Sequence, residues 1–405
     1  MNDRKRILLV FNTKRQELYS YLGEDLSSDY YIIFTESGEA SANLPSFIKE
    51  ELFWNDYRTP FHLLNAVKPD GVVFQEVFDL KQIALNIAAK SKNIKTFFLD
   101  HGIWNDFESI KKNDLSLKSK NRRRKLGKLN RWHKVIPGYL FYFSAIRGIK
   151  TKNFGKFFVL PVIAFFKSLL TSLTKNKFPE RKPDKFILFS RHNYNTVFHY
   201  YGCTEKEIVY TGFPFYDALA NEQPILNSND YIIFIDHPYL EHHILGWDEC
   251  FHENVAKAIA EIAELSGKKV KIKLHPRSNK ALWEKYEFLH DKAEIIQQPV
   301  SNNFYLNGSL IIGYASTMMI GFICAKKNVV LLGWHPKPQI FGIDFSLFGI
   351  CHKSLSFSEV KSKFLYWQSH NLALQNEEAY QKFVEYFNYP FDGNASQRII
   401  EIISG

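Results

Sequence analysis

The sequence has few cysteines and no pair of them spaced to hold a metal. Cys203, Cys250, Cys324 and Cys351 are scattered and no CxxC occurs. That excludes a disulfide scaffold and a zinc ribbon, and it fits a reducing compartment. Neither GxGxxG nor a Walker loop is present, which argues against nicotinamide and ATP enzymes, and HExxH and DxD are also missing. Long apolar runs are lacking too. The longest uncharged ones, at 135–146 and 157–166, fall short of the roughly 20 residues that cross a bilayer. The opening MNDRKRILLVFN has neither the apolar core nor the cleavage site of a signal peptide. The expectation is a cytoplasmic protein that can attach to a membrane surface. No internal repeat is seen beyond the reuse of an α/β unit.

What is present is an ordinary globular balance, 45% hydrophobic and 23% charged in 405 residues. This excludes disorder and collagen and suggests two or three domains at about 100–200 residues each. The net charge of +10 is unevenly placed. Residues 111–182 carry 14 Lys and 6 Arg against Asp114 and Glu180, a net of +18. The rest of the chain therefore sums to −8. A uniformly basic nucleic-acid coat is excluded, and the question becomes what the basic insert touches.

Short β-prone runs recur: RILLVFN (6–12), YYIIFT (30–35), GVVFQ (71–75), KTFFL (95–99), KFILFS (185–190) and EIVYT (207–211). Residues 82–92 have helical spacing. After a polar, linker-like stretch at 221–229, a second series begins with YIIFI (231–235), followed by an amphipathic helix over 253–265 and a strand, KVKIKL (269–274). Short strands follow at 294–296, 310–312 and 329–332, and a helix closes the chain at 396–403. Strands alternating with helices predict parallel sheets covered on both faces. Two such domains would face a cleft, with ligands at the carboxyl ends of the strands.

Three polar clusters fall at such ends. Asp100-His101-Gly102 follows KTFFL; a histidine there can take a proton from a hydroxyl, and the glycine lets a ligand approach the backbone. A turn histidine bonded to a nearby carbonyl is the plain alternative. Lys273-Leu274-His275-Pro276-Arg277 gathers cationic donors suited to a phosphate, or else is a solvated turn. Gly313-Tyr314-Ala315-Ser316-Thr317 precedes a helical run, where hydroxyls and backbone N–H groups can cradle a phosphate, or merely cap the helix. Glu76, after GVVFQ, is a second candidate base or acceptor ligand, a surface carboxylate being the plainer reading. His192, His199, His237, His242 and His243 make no metal pattern, because adjacent histidines on a helix point to different faces.

In this order the clusters resemble those of bacterial GT-B glycosyltransferases of surface-polysaccharide synthesis, of the polysialyltransferase, Kdo-transferase and CDP-glycerol glycerophosphotransferase kinds. In these families an acidic or His-Gly motif ends an N-domain strand, and KxHP and Ser-Ser/Thr motifs hold the donor phosphate in the C-domain. The matching residues are Asp100-His101-Gly102, Lys273-Leu274-His275-Pro276 and Ser316-Thr317. TGFPFYD at 211–217, with Gly212, and DGNAS at 392–396 are softer matches. Gly321 stands where such families often carry an acidic residue.

The resemblance implies two Rossmann-like domains, 1–224 for the acceptor and 225–390 for the nucleotide donor, with 391–405 packing back on the first. It implies an inverting, metal-independent transferase without a cofactor. That enzyme moves a sialic-acid-like or Kdo-like sugar from a CMP-activated donor to a capsule or lipopolysaccharide acceptor. His101 or Asp100 would be the base. Lys273, His275, Arg277, Ser316, Thr317 and Gly212 would bind the donor. A CDP-glycerol-type transferase and a UDP-sugar 2-epimerase are the alternatives.

Residues 111–182 mix Arg122, Arg123, Arg124, Lys125 and Lys128 with Tyr139, Phe141, Tyr142, Phe143, Phe157, Phe158, Phe165 and Phe166. Basic charge beside short apolar runs suits an amphipathic helical insert on an anionic leaflet better than nucleic acid. Expected partners are thus a nucleotide sugar, a glycan or lipid-linked acceptor and an anionic membrane surface, with no nucleic acid. The expected place is the inner face of the cytoplasmic membrane. Helices buried on the N-terminal domain are the alternative.

Overall fold

The computed structural model describes residues 4–12, 16–35, 44–104, 132–149, 181–221, 231–337 and 343–405. The linker-like stretch lies almost wholly outside the described residues, and so does the basic insert except for 132–149 and 181–182.

The chain divides into two compact units. One runs to Phe215 and takes back Asn394–Gly405; the other holds Tyr216–Gly393. The segment TGFPFYD therefore contributes to both.

The first unit has seven strands: β1 (Lys5–Phe11), β2 (Ser28–Phe34), β3 (Ile48–Leu52), β4 (Gly71–Phe74), β5 (Lys95–Leu99), β6 (Lys185–Leu188) and β7 (Ile208–Tyr210). They lie in the order β3-β2-β1-β4-β5-β6-β7, and every pair is parallel. β1, β4 and β5 are continuous apolar runs because both faces are covered. β3 reads IKEEL, too charged to be recognised in the sequence. It is an edge strand with two exposed residues, paired only to β2, where charge is tolerated and discourages further pairing.

Helices α1 (Pro60–Val67) and α2 (Leu80–Ser91) cover this sheet. Thr59 caps the first; Asp79 and Gln82 form a capping box on the second. Helix α3 (Trp132–Gly148), the described part of the insert, buries Phe141, Tyr142, Ala145 and Ile146 in the same core and leaves Ile136 and Leu140 exposed. This stretch of the insert is thus a core helix on its inner face. α4 (Asn193–Tyr201) ends at Gly202 in the left-handed region (φ 65°).

The second unit has β8 (Tyr231–Ile235), β9 (Val270–Lys273), β10 (Ala293–Ile296), β11 (Gly308–Gly313), β12 (Val329–Leu332) and β13 (His352–Ser354), in the order β10-β9-β8-β11-β12-β13 and again all parallel. The strand order reverses beside β8 as it does beside β1. Each sheet is therefore doubly wound in the Rossmann manner. α5 (Glu249–Ser266) is the amphipathic helix the sequence predicts, capped by Asp248 and stopped at Gly267. α6 (Thr317–Cys324) follows β11, and α7 (Phe357–Ser369) and α8 (Glu377–Phe387) close the unit. The final helix, α9 (Ala395–Ser404), belongs to the first unit. It buries Ile399, Ile400 and Ile403 there, and its Arg398 guanidinium donates to the Thr211 carbonyl at 2.7 and 3.2 Å.

Candidate active site

In the first unit, Asp100 extends β5 by one ladder bond, its N–H donating to the Ile187 carbonyl (3.0 Å). Its side chain is 1% exposed. Oδ1 accepts from the His101 N–H and from Trp104 Nε1, both at 2.9 Å. Oδ2 accepts from Asn193 Nδ2 at 2.5 Å and from the Phe189 N–H at 3.2 Å. Burial pushes this carboxyl up to about 6, against the pull of those four donors. Two carboxylate oxygens offer about four acceptor positions, and all are occupied. Asp100 therefore orients the loop after β5 and has no lone pair left for an acceptor hydroxyl.

The same loop is clamped from the turn after β6. Asn193, fully buried, donates to the Gly102 carbonyl at 2.7 Å and accepts from the Trp104 N–H at 2.9 Å. His192 Nε2 lies 2.9 Å from the Trp104 carbonyl. Gly102 has φ 153°, a backbone that a side chain would strain. What the clamp presents is His101, partly exposed, its ring meeting Trp104 edge-on at 5.4 Å. Asn193 was missed in the sequence, and His192 was weighed there only as a metal ligand. The turn RHNYN has no motif, and only the pairing of β6 with β5 brings it to Asp100.

In the second unit the carboxyl ends of four strands gather polar groups. Lys273, the last residue of β9, is buried. Its Nζ donates to the Leu274 carbonyl (3.1 Å), and burial holds its ammonium below the usual value. His275 Nδ1 accepts the Arg277 N–H (3.1 Å), which places the ring proton on Nε2, where it can be donated. Arg277 is exposed. Ser316 occupies the N-cap of α6, but its buried hydroxyl makes no hydrogen bond to the helix or to any other group among the described residues. Thr317 begins that helix, and its carbonyl accepts from the Tyr216 hydroxyl.

Gly321 packs under Tyr216: a Cβ there would stand 2.5 Å from two ring carbons. The acidic residue found at that place in similar families has no room here. Gly212 (φ 78°) is buried and belongs to the first unit.

Two further histidines belong to this edge. His237 follows β8 and stacks on Tyr239 at 5.2 Å. His335 follows β12, stacks on Tyr314 at 4.7 Å and accepts from Trp247 Nε1 at 3.1 Å. Burial pulls both imidazoles down to about 4, so they are neutral near pH 7. The Tyr314 hydroxyl is buried with no partner. The signal for these was present: a strand followed closely by His-Pro occurs three times, at His237-Pro238, His275-Pro276 and His335-Pro336. The His242-His243 pair lies in a turn, not on a helix, with His243 in the left-handed region.

Two doubly wound units with donors at the strand ends are the architecture of the GT-B fold. The wall teichoic acid polymerase TagF is similar in structure, with TM-score 0.54 at 13% identity over 100% of this chain and 89% of that one. The glycosyltransferase of kitacinnamycin is similar at TM-score 0.50 and 10% identity, over 99% and 98%. No curated protein matches the sequence. The family model for alpha-2,8-polysialyltransferase (POLYST) matches residues 10–322, and the chain belongs to that family. The protein is thus a glycosyltransferase with a nucleotide-sugar donor and a glycan acceptor. No described helix is long and apolar enough to cross a membrane.

Proposed function

We propose that the protein transfers a sialic-acid-like or Kdo-like sugar from a CMP-activated donor to a capsule or lipopolysaccharide acceptor, with inversion and without a metal. The reading rests on the unpartnered Ser316 hydroxyl at the N-terminus of α6. A helix start whose N-cap side chain is not used on the helix suits an anionic oxygen. Lys273, His275 and Arg277 lie at the end of β9, one strand removed from β11 across β8, and supply positive charge and donors. His101 takes the proton of the acceptor hydroxyl as that oxygen bonds to the anomeric carbon. The bond from that carbon to the phosphate oxygen breaks, and CMP leaves with the electron pair. Attack from the opposite face inverts the centre. Donors aimed at the leaving phosphate stabilise charge as it develops. Asp100 acts on the reaction only by holding His101.

Calorimetric titration with CMP, CDP, UMP and UDP tests the donor. CMP is expected to bind best, and UDP binding as tightly as CMP would overturn the assignment. The basic segment 111–182, with Ile136 and Leu140 exposed on α3, is read as the attachment to the inner face of the cytoplasmic membrane. Each basic residue near an anionic surface adds about 1 kcal/mol. Vesicle flotation is expected to depend on anionic lipid, and equal behaviour with neutral lipid would remove this part.

A further inference from the structure

Arg181 precedes β6 and is only 6% exposed. Its Nε makes no hydrogen bond, and no carboxylate among the described residues forms an ion pair with it. Its guanidinium lies 5.8 Å from the centroid of Phe78, whose ring stacks on that of Tyr201 at 5.6 Å, and within electrostatic reach of the Tyr201 phenol. The Tyr201 oxygen accepts the Val77 N–H at 3.1 Å. Burial pushes the phenol far up, so it keeps a proton to donate. Phe98 and Phe186 each lie 5.5 Å from the Tyr201 ring, and the Glu76 carboxylate acts on its phenol electrostatically. A buried charge without a partner costs several kcal/mol. A fork of guanidinium donors beside a phenol O–H fits a planar carboxylate well.

The location connects this group to the proposed base. His101 packs on Trp104 at 5.4 Å, Trp104 on Tyr200 at 5.7 Å and Tyr200 on Phe78 at 5.2 Å, and Arg181 lies behind Phe78. Phe78 and Tyr200 are only partly buried, so this wall is where a ligand can enter.

We propose that Arg181 and the Tyr201 hydroxyl receive a carboxylate of an acidic glycan acceptor and so set its position relative to His101. This rests on the reading of His101 as base and of the acceptor as a chain of acidic sugars.

The test is calorimetric binding of an α2,8-linked oligosialic acid and its carboxyl-reduced counterpart, without donor, to the full chain and to Arg181→Met, Arg181→Lys and Tyr201→Phe. The unaltered protein is expected to prefer the acid. Arg181→Met is expected to lose roughly ten- to hundredfold on the acid and nothing on the reduced sugar. It should also melt higher without ligand, because an unpaired buried charge is gone. Arg181→Lys should keep part of the preference, and Tyr201→Phe should lose less than Arg181→Met.

Unchanged acid binding in Arg181→Met would overturn the proposal, as would equal losses on both sugars together with a lower melting temperature. Binding of inorganic phosphate at Arg181 with no response to the oligosaccharide would overturn the carboxylate assignment. CMP titration of the same samples separates the readings: a protein that never binds CMP fails the donor reading, whatever Arg181 does.

Discussion

β5 and β8 both run into Asp-His, at Asp100-His101 and at Asp236-His237. In each the aspartate is buried and extends the sheet by a backbone bond to the neighbouring strand, Asp100 to Ile187 and Asp236 to Lys273, both at 3.0 Å. The next residue separates them. Gly102 at φ 153° turns the first chain so that His101 stays partly exposed. Pro238 follows in the second, and His237 lies stacked on Tyr239, beside Tyr314 and within the electrostatic reach of His275 and His335. Both histidines stay partly exposed, His101 against Trp104 and His237 between Tyr239 and Tyr314, where burial pulls its imidazole down to about 4. A shared dipeptide fixes the place of a group; its neighbours fix whether the group can react.

Several substitutions would break or sharpen this contrast. The largest effect is expected for His101→Ala, a loss of about 10²–10⁴-fold in kcat with CMP affinity unchanged. His237→Ala should leave kcat far less affected, and equal losses at the two histidines would erase the distinction. Next is His275→Ala, which should weaken CMP binding roughly tenfold by removing a donor to a charged phosphate. Calorimetry that shows no change would take His275 out of the donor set.

Asp100→Asn acts on stability instead. It swaps an acceptor for a donor among Asn193, Trp104 and the Phe189 N–H, at about 1–3 kcal/mol in denaturant unfolding. The last expectation is a pH dependence. Both aspartates have carboxyls raised above the usual 3.8, to about 6 for Asp100 and about 7 for Asp236. Folding therefore favours their protonated forms. The stability gained is full below about pH 4. It is lost as pH rises through about 6 for the first and about 7 for the second. Melting curves from pH 4 to 8 should fall less steeply in Asp236→Asn than in the unaltered protein, with the difference still growing between pH 6 and 7.

Much of the fold was legible because its strands are buried on both faces. RILLVFN, GVVFQ, KTFFL and YIIFI stand out as unbroken apolar runs for that reason. β3 and β13 did not, since an edge strand pairs on one side only and can carry IKEEL or HKS. Of the candidate site, Lys273, His275, Ser316 and Thr317 were legible from their position after strands. Asp100 was read as a possible base because sequence shows a carboxylate beside a histidine and cannot show that its four acceptor positions are filled. Asn193, which fills one of them, is 93 positions away along the chain.

The uneven charge, the strand-helix alternation and the residue types at strand ends are local properties, and the sequence by itself determined them. Burial, partners and direction are properties of the packed chain, and only the tertiary structure decided them. It closed Asp100 off, left the Ser316 hydroxyl and the Arg181 Nε without hydrogen-bond partners among the described residues, and turned α3 inward although it lies in the most basic part of the sequence. The physical reason is that what a polar group can do depends on the donors, acceptors and water it can reach. Those are set by which distant segments fold against it.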